Sequence, residues 1–111
     1  MQHAKSILAA YDGSEPERRV LDAAAGLMGY GSILAVVGVA APASSNPLVA
    51  ASRYLSGKHV FASYINGNGH PAQTVLDEAV KLGTDVIVVS ARNDALESVV
   101  RDAPCDVLVV R

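Results

Sequence analysis

The chain has 111 residues, of which half are hydrophobic, and a formal net charge of -2 at pH 7. This length predicts one domain over residues 1–111, large enough to bury roughly 60–70% of its unfolded surface. No apolar run reaches the roughly 18 residues of a membrane span, and there is neither a basic stripe nor a tryptophan, which argues against membrane-spanning and nucleic-acid-binding proteins.

Residues 7–11 form a short apolar run without a helical period, which predicts a strand buried on both faces. The run stops at Asp12 and Gly13, and glycine permits a tight turn there. Ser14 then has the position of a helix N-cap, with Glu17 three residues later as in a capping box. One carboxylate therefore stands at the carboxyl end of a buried strand, where open α/β sheets bind their ligands.

The rest of the chain alternates between helical and strand-like apolar periods. The predicted helices cover residues 15–28, 47–57, 71–83 and 94–102, and the further predicted strands cover residues 32–39, 58–66, 85–90 and 106–111. The strand over 58–66 alternates in polarity, as an exposed edge strand would. Asp94 and Glu97 have capping-box spacing at the last helix. Strands that alternate with helices predict an α/β fold with a parallel sheet covered on both faces.

Three stretches together resemble the universal stress protein family. They are I-L-A-A-Y-D-G-S-E at 7–15, G-H-P-A-Q-T-V-L-D-E-A-V-K-L-G-T-D-V-I-V-V-S at 69–90, and R-D-A-P-C-D-V-L-V-V-R at 101–111. The resemblance implies a flavodoxin-like, five-stranded parallel sheet in the order 3-2-1-4-5, with a cleft between the ends of strands one and four. It also implies that some members bind ATP in this cleft and that members pair through the last strand.

The chain departs from the ATP-binding pattern of this family. Those members carry G-x2-G-x9-G-[S/T] after the fourth strand, whereas the last glycine here is Gly83, before that strand. The Gly-Ser pair of the family falls on Asn93 and Asp94, and the loop ahead of it is reduced to residues 90–92. By resemblance, Asp12 and Val39 remain as contacts for an adenine base.

The candidate ligand residues each have a functional and a structural interpretation. Asp12 either accepts from an amine or ribose hydroxyl, or it ties down the Gly13-Ser14 turn. Ser90, Arg92 and Asn93 either bind a small anion or form a short solvated loop. The nucleotide-binding set is Asp12, Gly13, Ser14, Val39, Ser90, Arg92, Asn93 and Asp94.

Other chemistry-bearing residues predict no site. Gly67 begins a stretch that matches G-x-G-x-x-A, but it lies in the third βα unit and Pro71 removes an amide. The three histidines and Cys105 have no metal-ligand spacing, and no nucleophile motif is present, so we predict no metal and no catalytic residue. Cys105, the one cysteine, is interpreted as a small buried filler.

We therefore predict a stress-associated binding or regulatory protein rather than an enzyme, without a cofactor. The alternatives are weak binding of AMP or ATP with Mg through Asp12 and Val39, or a structural partner for a larger family member. Too few residues precede the first strand for a signal peptide, so we expect a cytoplasmic protein. The apolar last strand predicts a homodimer that pairs through Val107, Leu108, Val109 and Val110.

Overall fold

The computed structural model describes residues 4–11, 18–38, 47–67 and 71–111. Within these ranges strands and helices alternate along the chain, as the apolar periods predict. The elements are β1 (Ala4–Tyr11), α1 (Arg18–Gly26), β2 (Met28–Gly38), α2 (Pro47–Gly57), β3 (Ser63–Asn66), α3 (Pro71–Leu82), β4 (Val86–Ser90), α4 (Leu96–Asp102) and β5 (Asp106–Val110).

The five strands form one sheet in the order β3-β2-β1-β4-β5, and every neighbouring pair is parallel. This confirms the predicted α/β fold and its strand order. Each helix carries the chain from the end of one parallel strand back to the start of the next, as parallel pairing requires. The strands β3 and β5 are the two edges, which confirms the edge position predicted for the third strand.

Two apolar clusters pack on opposite faces of the sheet. Successive side chains of a strand point to opposite faces, so a continuous apolar strand supplies both clusters. One cluster lies between the sheet and the helices α1 and α2, and its members include Ile7, Ala9, Tyr11, Val20, Leu21, Leu34, Val36 and Leu55. The other lies under α3 and α4 and includes Leu8, Ala10, Val37, Val75, Ile87, Val89 and Val99.

The third strand is shorter than predicted, because its expected first residues complete the end of α2. The amides of Lys58 and His59 donate to the carbonyls of Leu55 and Ser56, each over 3.0 Å. His59 has a positive φ of 58°, the left-handed conformation with which helices commonly end. The prediction of a strand from residue 58 is therefore wrong, and β3 begins at Ser63.

The second strand begins earlier than predicted. It starts at Met28 rather than at residue 32, so Met28 belongs to β2 and not to the predicted first helix, and Gly29 and Gly31 lie within the strand. Its pairing with β1 is irregular there, because Met28 is opposite Ala4 and Ile33 is opposite Ser6. The extra residues of β2 form a bulge in which the Gly29 amide donates to Ser32 Oγ over 2.8 Å.

The amino ends of β1 and β4 are joined by one carboxylate. Asp85 Oδ2 accepts from the amides of Lys5 and Ser6 over 3.0 and 2.9 Å, and the Asp85 amide donates to the Ser6 carbonyl over 2.8 Å. These bonds lie next to the ladder that pairs Ile7 with Val86. They help to hold the central strands in a register that brings their carboxyl ends together.

Candidate functional site

The carboxyl ends of β1 and β4 form the point at which the sheet reverses its direction of winding. β1 ends at Tyr11 and β4 at Ser90, and the two strands are direct neighbours. From β1 the sheet continues to β2 and β3 on one side and to β4 and β5 on the other. In open parallel sheets, ligands bind in the crevice at such a switch point. The sequence predicts the ligand site at these carboxyl ends.

Four of the predicted ligand residues fall outside the described residues. Asp12, Gly13 and Ser14 come directly after the last residue of β1, and Val39 comes directly after the last residue of β2. Their connection to these two strand ends follows from the chain itself. Their predicted role in binding an adenine base stays a prediction.

The turn between β4 and α4 is closed by hydrogen bonds of its own. The Arg92 amide donates to Ser90 Oγ over 3.0 Å, and the Asn93 amide donates to the Ser90 carbonyl over 3.1 Å. Asn93 then accepts twice, from the Ala95 amide at Oδ1 over 2.8 Å and from the Leu96 amide at its carbonyl over 3.0 Å. These bonds leave few amides in the turn for a ligand.

The neighbouring strand takes a further amide of this turn. The Ala91 amide donates to the Val110 carbonyl of β5 over 2.7 Å. Of the six amides from residue 91 to residue 96, five are thus bonded within the chain. Glycine-rich loops hold a phosphate by pointing several free backbone amides at it. The turn after β4 has no such row of free amides, as the absence of glycine from residues 90–96 predicts.

The predicted cap of the last helix is wrong. Asp94 does not cap α4, because the N-cap residue is Ala95 and no side chain accepts from the first turn there. The helix begins at Leu96, two residues later than predicted. The reason is the neighbouring Asn93, whose side-chain oxygen binds the Ala95 amide two residues ahead and closes an Asx-turn before the helix starts.

The side chains of this turn differ sharply in exposure. Ser90 and Asn93 are buried, while Arg92 and Asp94 are exposed. Within the described residues, Arg92 and Asp94 form no ion pair with each other, and Asn93 Nδ2 is buried without a hydrogen-bond partner. The turn therefore offers a ligand one exposed guanidinium, and its one adjacent carboxylate repels an anion.

These two internal turns were not predicted, although the sequence contains a local signal for them. Serine and asparagine often bind the amide two residues ahead of them, in ST-turns and Asx-turns. Ser90 and Asn93 both occupy such positions, after the strand and before the helix. Interpreted in this way, the segment 90–95 predicts a self-bonded turn rather than a small anion site.

A polar cluster joins α1 to α2 on the surface. Asp22 Oδ1 accepts from Tyr54 Oη over 2.7 Å and from Lys58 Nζ over 2.6 Å. Arg18 and Lys58 both lie over the Tyr54 ring, 5.2 and 4.7 Å from its centroid. The hydrogen bonds from Lys58 and Tyr54 lower the pKa of Asp22. The hydrogen bond to Asp22 correspondingly raises the pKa of Lys58.

We expect Asp22→Asn to lower the melting temperature by about 1–4 °C at pH 7, since both partners are half exposed and such pairs are weak. The lowered pKa of Asp22 means that its contribution is present above the unfolded value. It is lost as the pH falls through the folded value, below about 4. Thermal melts of both proteins should therefore converge in acid, and a constant difference would contradict this account.

Neither a metal cluster nor a reactive thiol is found among the described residues near the switch point. Within the described ranges no three His, Cys, Asp or Glu residues are grouped so that they could hold a metal ion. Cys105 is partly buried against the cluster under α3 and α4. Burial, and then the carboxylates of Asp106 and Asp85, raise the pKa of its thiol, which makes it a poor nucleophile at neutral pH.

The fold is that of the universal stress proteins. A universal stress protein in complex with cAMP has a TM-score of 0.75 and 19% identity, over 99% of this chain and 98% of its own. One from Archaeoglobus fulgidus in complex with dAMP has a TM-score of 0.72 and 19% identity, over the whole of both chains. A family protein from Burkholderia pseudomallei has a TM-score of 0.69 and 22% identity, over 96% and 95%. No protein-family model and no curated sequence matches the chain.

Proposed function

We propose that this chain, with the universal stress protein fold, is a binding or regulatory protein that does not hold ATP through a phosphate loop. We propose no enzymatic activity for it and place it in the cytoplasm. The observation that carries the proposal is the turn after β4, where five of six successive amides are already bonded within the chain. Among the described residues, no helix is long and apolar enough to cross a membrane.

A triphosphate at this turn would have to replace existing bonds. To free the Arg92 and Ala95 amides, the ligand would have to displace Ser90 Oγ and Asn93 Oδ1, both of which belong to buried side chains. Each displaced acceptor would then lose its partner, and a buried polar group without a partner costs roughly 1–3 kcal/mol. The exposed Asp94 adds repulsion at the same place. Arg92 supplies a single compensating charge.

We expect millimolar Mg-ATP to leave the melting temperature unchanged. A ligand at about 100 times its Kd would add roughly 2.7 kcal/mol of stability, enough to raise the melting temperature of a domain of this size by several degrees. Differential scanning fluorimetry with and without Mg-ATP measures this directly. A shift of several degrees that Arg92→Ala removes would refute the proposal, because it would place the phosphates at this turn.

A second candidate function is the binding of an adenine nucleotide without a triphosphate. Two solved structures of the same fold contain cAMP and dAMP, and a switch point of the same kind exists here between β1 and β4. The residues that would recognise the base are Asp12 and Val39. The same assay with AMP, cAMP and dAMP separates the two candidates, since a shift that Asp12→Ala abolishes would favour the second.

A homodimer through the edge strand β5 is part of the proposal. Among the described strands, β5 pairs with β4 and has no partner on its other side, and Leu108 and Val109 are 38% and 42% exposed. Val107 and Val110 pack instead against the two apolar clusters. An exposed apolar edge favours pairing with another strand, and two copies related by a two-fold axis satisfy both edges at once. A larger protein with the same edge could also be the partner.

A further inference from the structure

The surface around the amino-terminal half of β2 carries three large exposed apolar side chains. Tyr30 is fully exposed, Phe61 is 87% exposed, and Ile33 is 63% exposed. Tyr30 stands in the bulge of β2, three residues before Ile33, and Phe61 lies two residues before β3. We call these three residues the β2 patch. It lies at the opposite end of β2 from the switch point and so is separate from the candidate ligand site.

A groove runs through this patch because β2 and β3 pair along only part of their length. Their ladder begins with Ala35 opposite Ser63, and continuing it backwards would place Ile33 opposite Phe61. Instead of pairing, the two segments leave a space of about 270 Å³ between them. It is lined by Ser32, Ile33, Leu34, Phe61, Ala62 and Ser63. The groove is shallow and open to solvent, because Ile33 and Phe61 in its walls are themselves 63% and 87% exposed, so an aromatic ring can lie against it without being enclosed.

The patch is free of formal charge. The stretches M-G-Y-G-S-I-L at residues 28–34 and V-F-A-S-Y-I-N at residues 60–66 contain no Asp, Glu, Lys or Arg. Two copies of this surface can therefore face each other without like-charge repulsion. A projecting tyrosine and a shallow groove lie on the same surface, so this surface can face a second copy of itself across a two-fold axis.

We propose that the β2 patch is a self-association surface on which Tyr30 of one copy enters the groove of a second copy, and the second reciprocates. Gly31, next to Tyr30, has a positive φ of 82°, a conformation that glycine adopts without steric cost. The ring of Tyr30 would contact Ile33 and Phe61 of the other copy. The contact is separate from the β5 edge, because β2 and β5 are separated in the sheet by β1 and β4.

The area of the patch sets the strength of this contact. A fully covered tyrosine or phenylalanine removes about 150–250 Å² from water, so the four aromatic side chains of two copies bury at most about 600–1,000 Å². Stable interfaces bury roughly 1,200–2,000 Å². The patch alone therefore gives a weak contact that depends on protein concentration. Together with a β5 dimer, it would link dimers into larger assemblies.

Sedimentation equilibrium of the Val109→Lys protein tests the proposal, because this substitution removes the proposed β5 contact. From roughly 10 μM to 1 mM, where weak contacts form, we expect the average mass to rise from that of a monomer towards that of a dimer. Tyr30→Ser or Phe61→Ser should raise the Kd of association at least about tenfold, as for central aromatic residues of an interface. The matched control is Val80→Ser on α3, which also changes an exposed apolar residue, 69% exposed, and should leave the Kd unchanged.

Concentration-dependent amide shifts in ¹H–¹⁵N spectra of the Val109→Lys protein give a second measurement that needs no further substitution. The shifts should be confined to residues 29–34 and 60–63. A protein that stays monomeric at the highest concentration overturns the proposal, as does association that neither Tyr30→Ser nor Phe61→Ser weakens. Binding of the apolar dye ANS that Phe61→Ser abolishes, without any association, would also overturn it, because the groove would then accept a foreign apolar group instead.

Discussion

Val109→Lys is expected to reduce the mass of the protein in solution from twice the 11.5 kDa of one chain to 11.5 kDa. Val109 is 42% exposed on β5, and its strand pairs with β4 on one side only. In a two-fold dimer through this edge, each introduced ammonium group would lose water at the interface without gaining a partner. Such burial costs several kcal/mol, and each 1.4 kcal/mol weakens association about tenfold.

The control for this prediction is Val80→Lys. It places the same charge on an exposed valine of α3, outside the edge strand. Size-exclusion chromatography with light scattering at micromolar concentration should show a monomer for Val109→Lys and a dimer for Val80→Lys and the unchanged protein. Circular dichroism confirms that all three are folded. If the unchanged protein is already monomeric, the proposed β5 dimer is wrong, although the β2 patch remains testable at higher concentration.

Gly67→Ala is expected to destabilise the protein by roughly 1–3 kcal/mol, in the range of an overpacked interior. A Cβ at Gly67 would lie 2.7 Å from the Gly38 carbonyl oxygen and 3.3 Å from Val37 Cγ1. The Gly67 amide also donates to that same oxygen over 3.0 Å. Since the oxygen belongs to the main chain of the neighbouring strand, it cannot rotate away. Either the ends of β2 and β3 separate or the hydrogen bond is lost.

Gly57→Ala is the matched control, because this substitution should not lower the free energy of unfolding. Gly57 is the last residue of α2, and a Cβ there would meet nothing within 4 Å. Alanine also restricts the unfolded chain more than glycine does, so this substitution should be neutral or stabilise by up to about 1 kcal/mol. Urea unfolding of both variants measures the difference. Equal stabilities would mean that the close approach of Gly67 to β2 does not constrain the fold.

The sequence by itself determined the architecture. The alternation of apolar strands and amphipathic helices gave the order of elements, because a strand buried on both faces needs helices to cover it. The runs ending at Tyr11 and Ser90 predicted two buried strands, and the resemblance to the universal stress protein family implied that these strands are neighbours with a cleft at their carboxyl ends. The absence of glycine after Gly83 also indicated, correctly, that the turn after β4 presents no row of free amides.

Only the tertiary structure decided the features that depend on residues distant in the chain. Asp85 binds the amides of Lys5 and Ser6, about 80 positions earlier, and Gly67 meets the carbonyl of Gly38. The pattern over residues 58–66 suited a strand, but the first two of these residues complete the end of α2, so β2 and β3 separate and leave the groove between Ile33 and Phe61. Local periodicity reports which face of an element is apolar. It carries no information on where two strands stop pairing, since that depends on how the helix between them ends and packs.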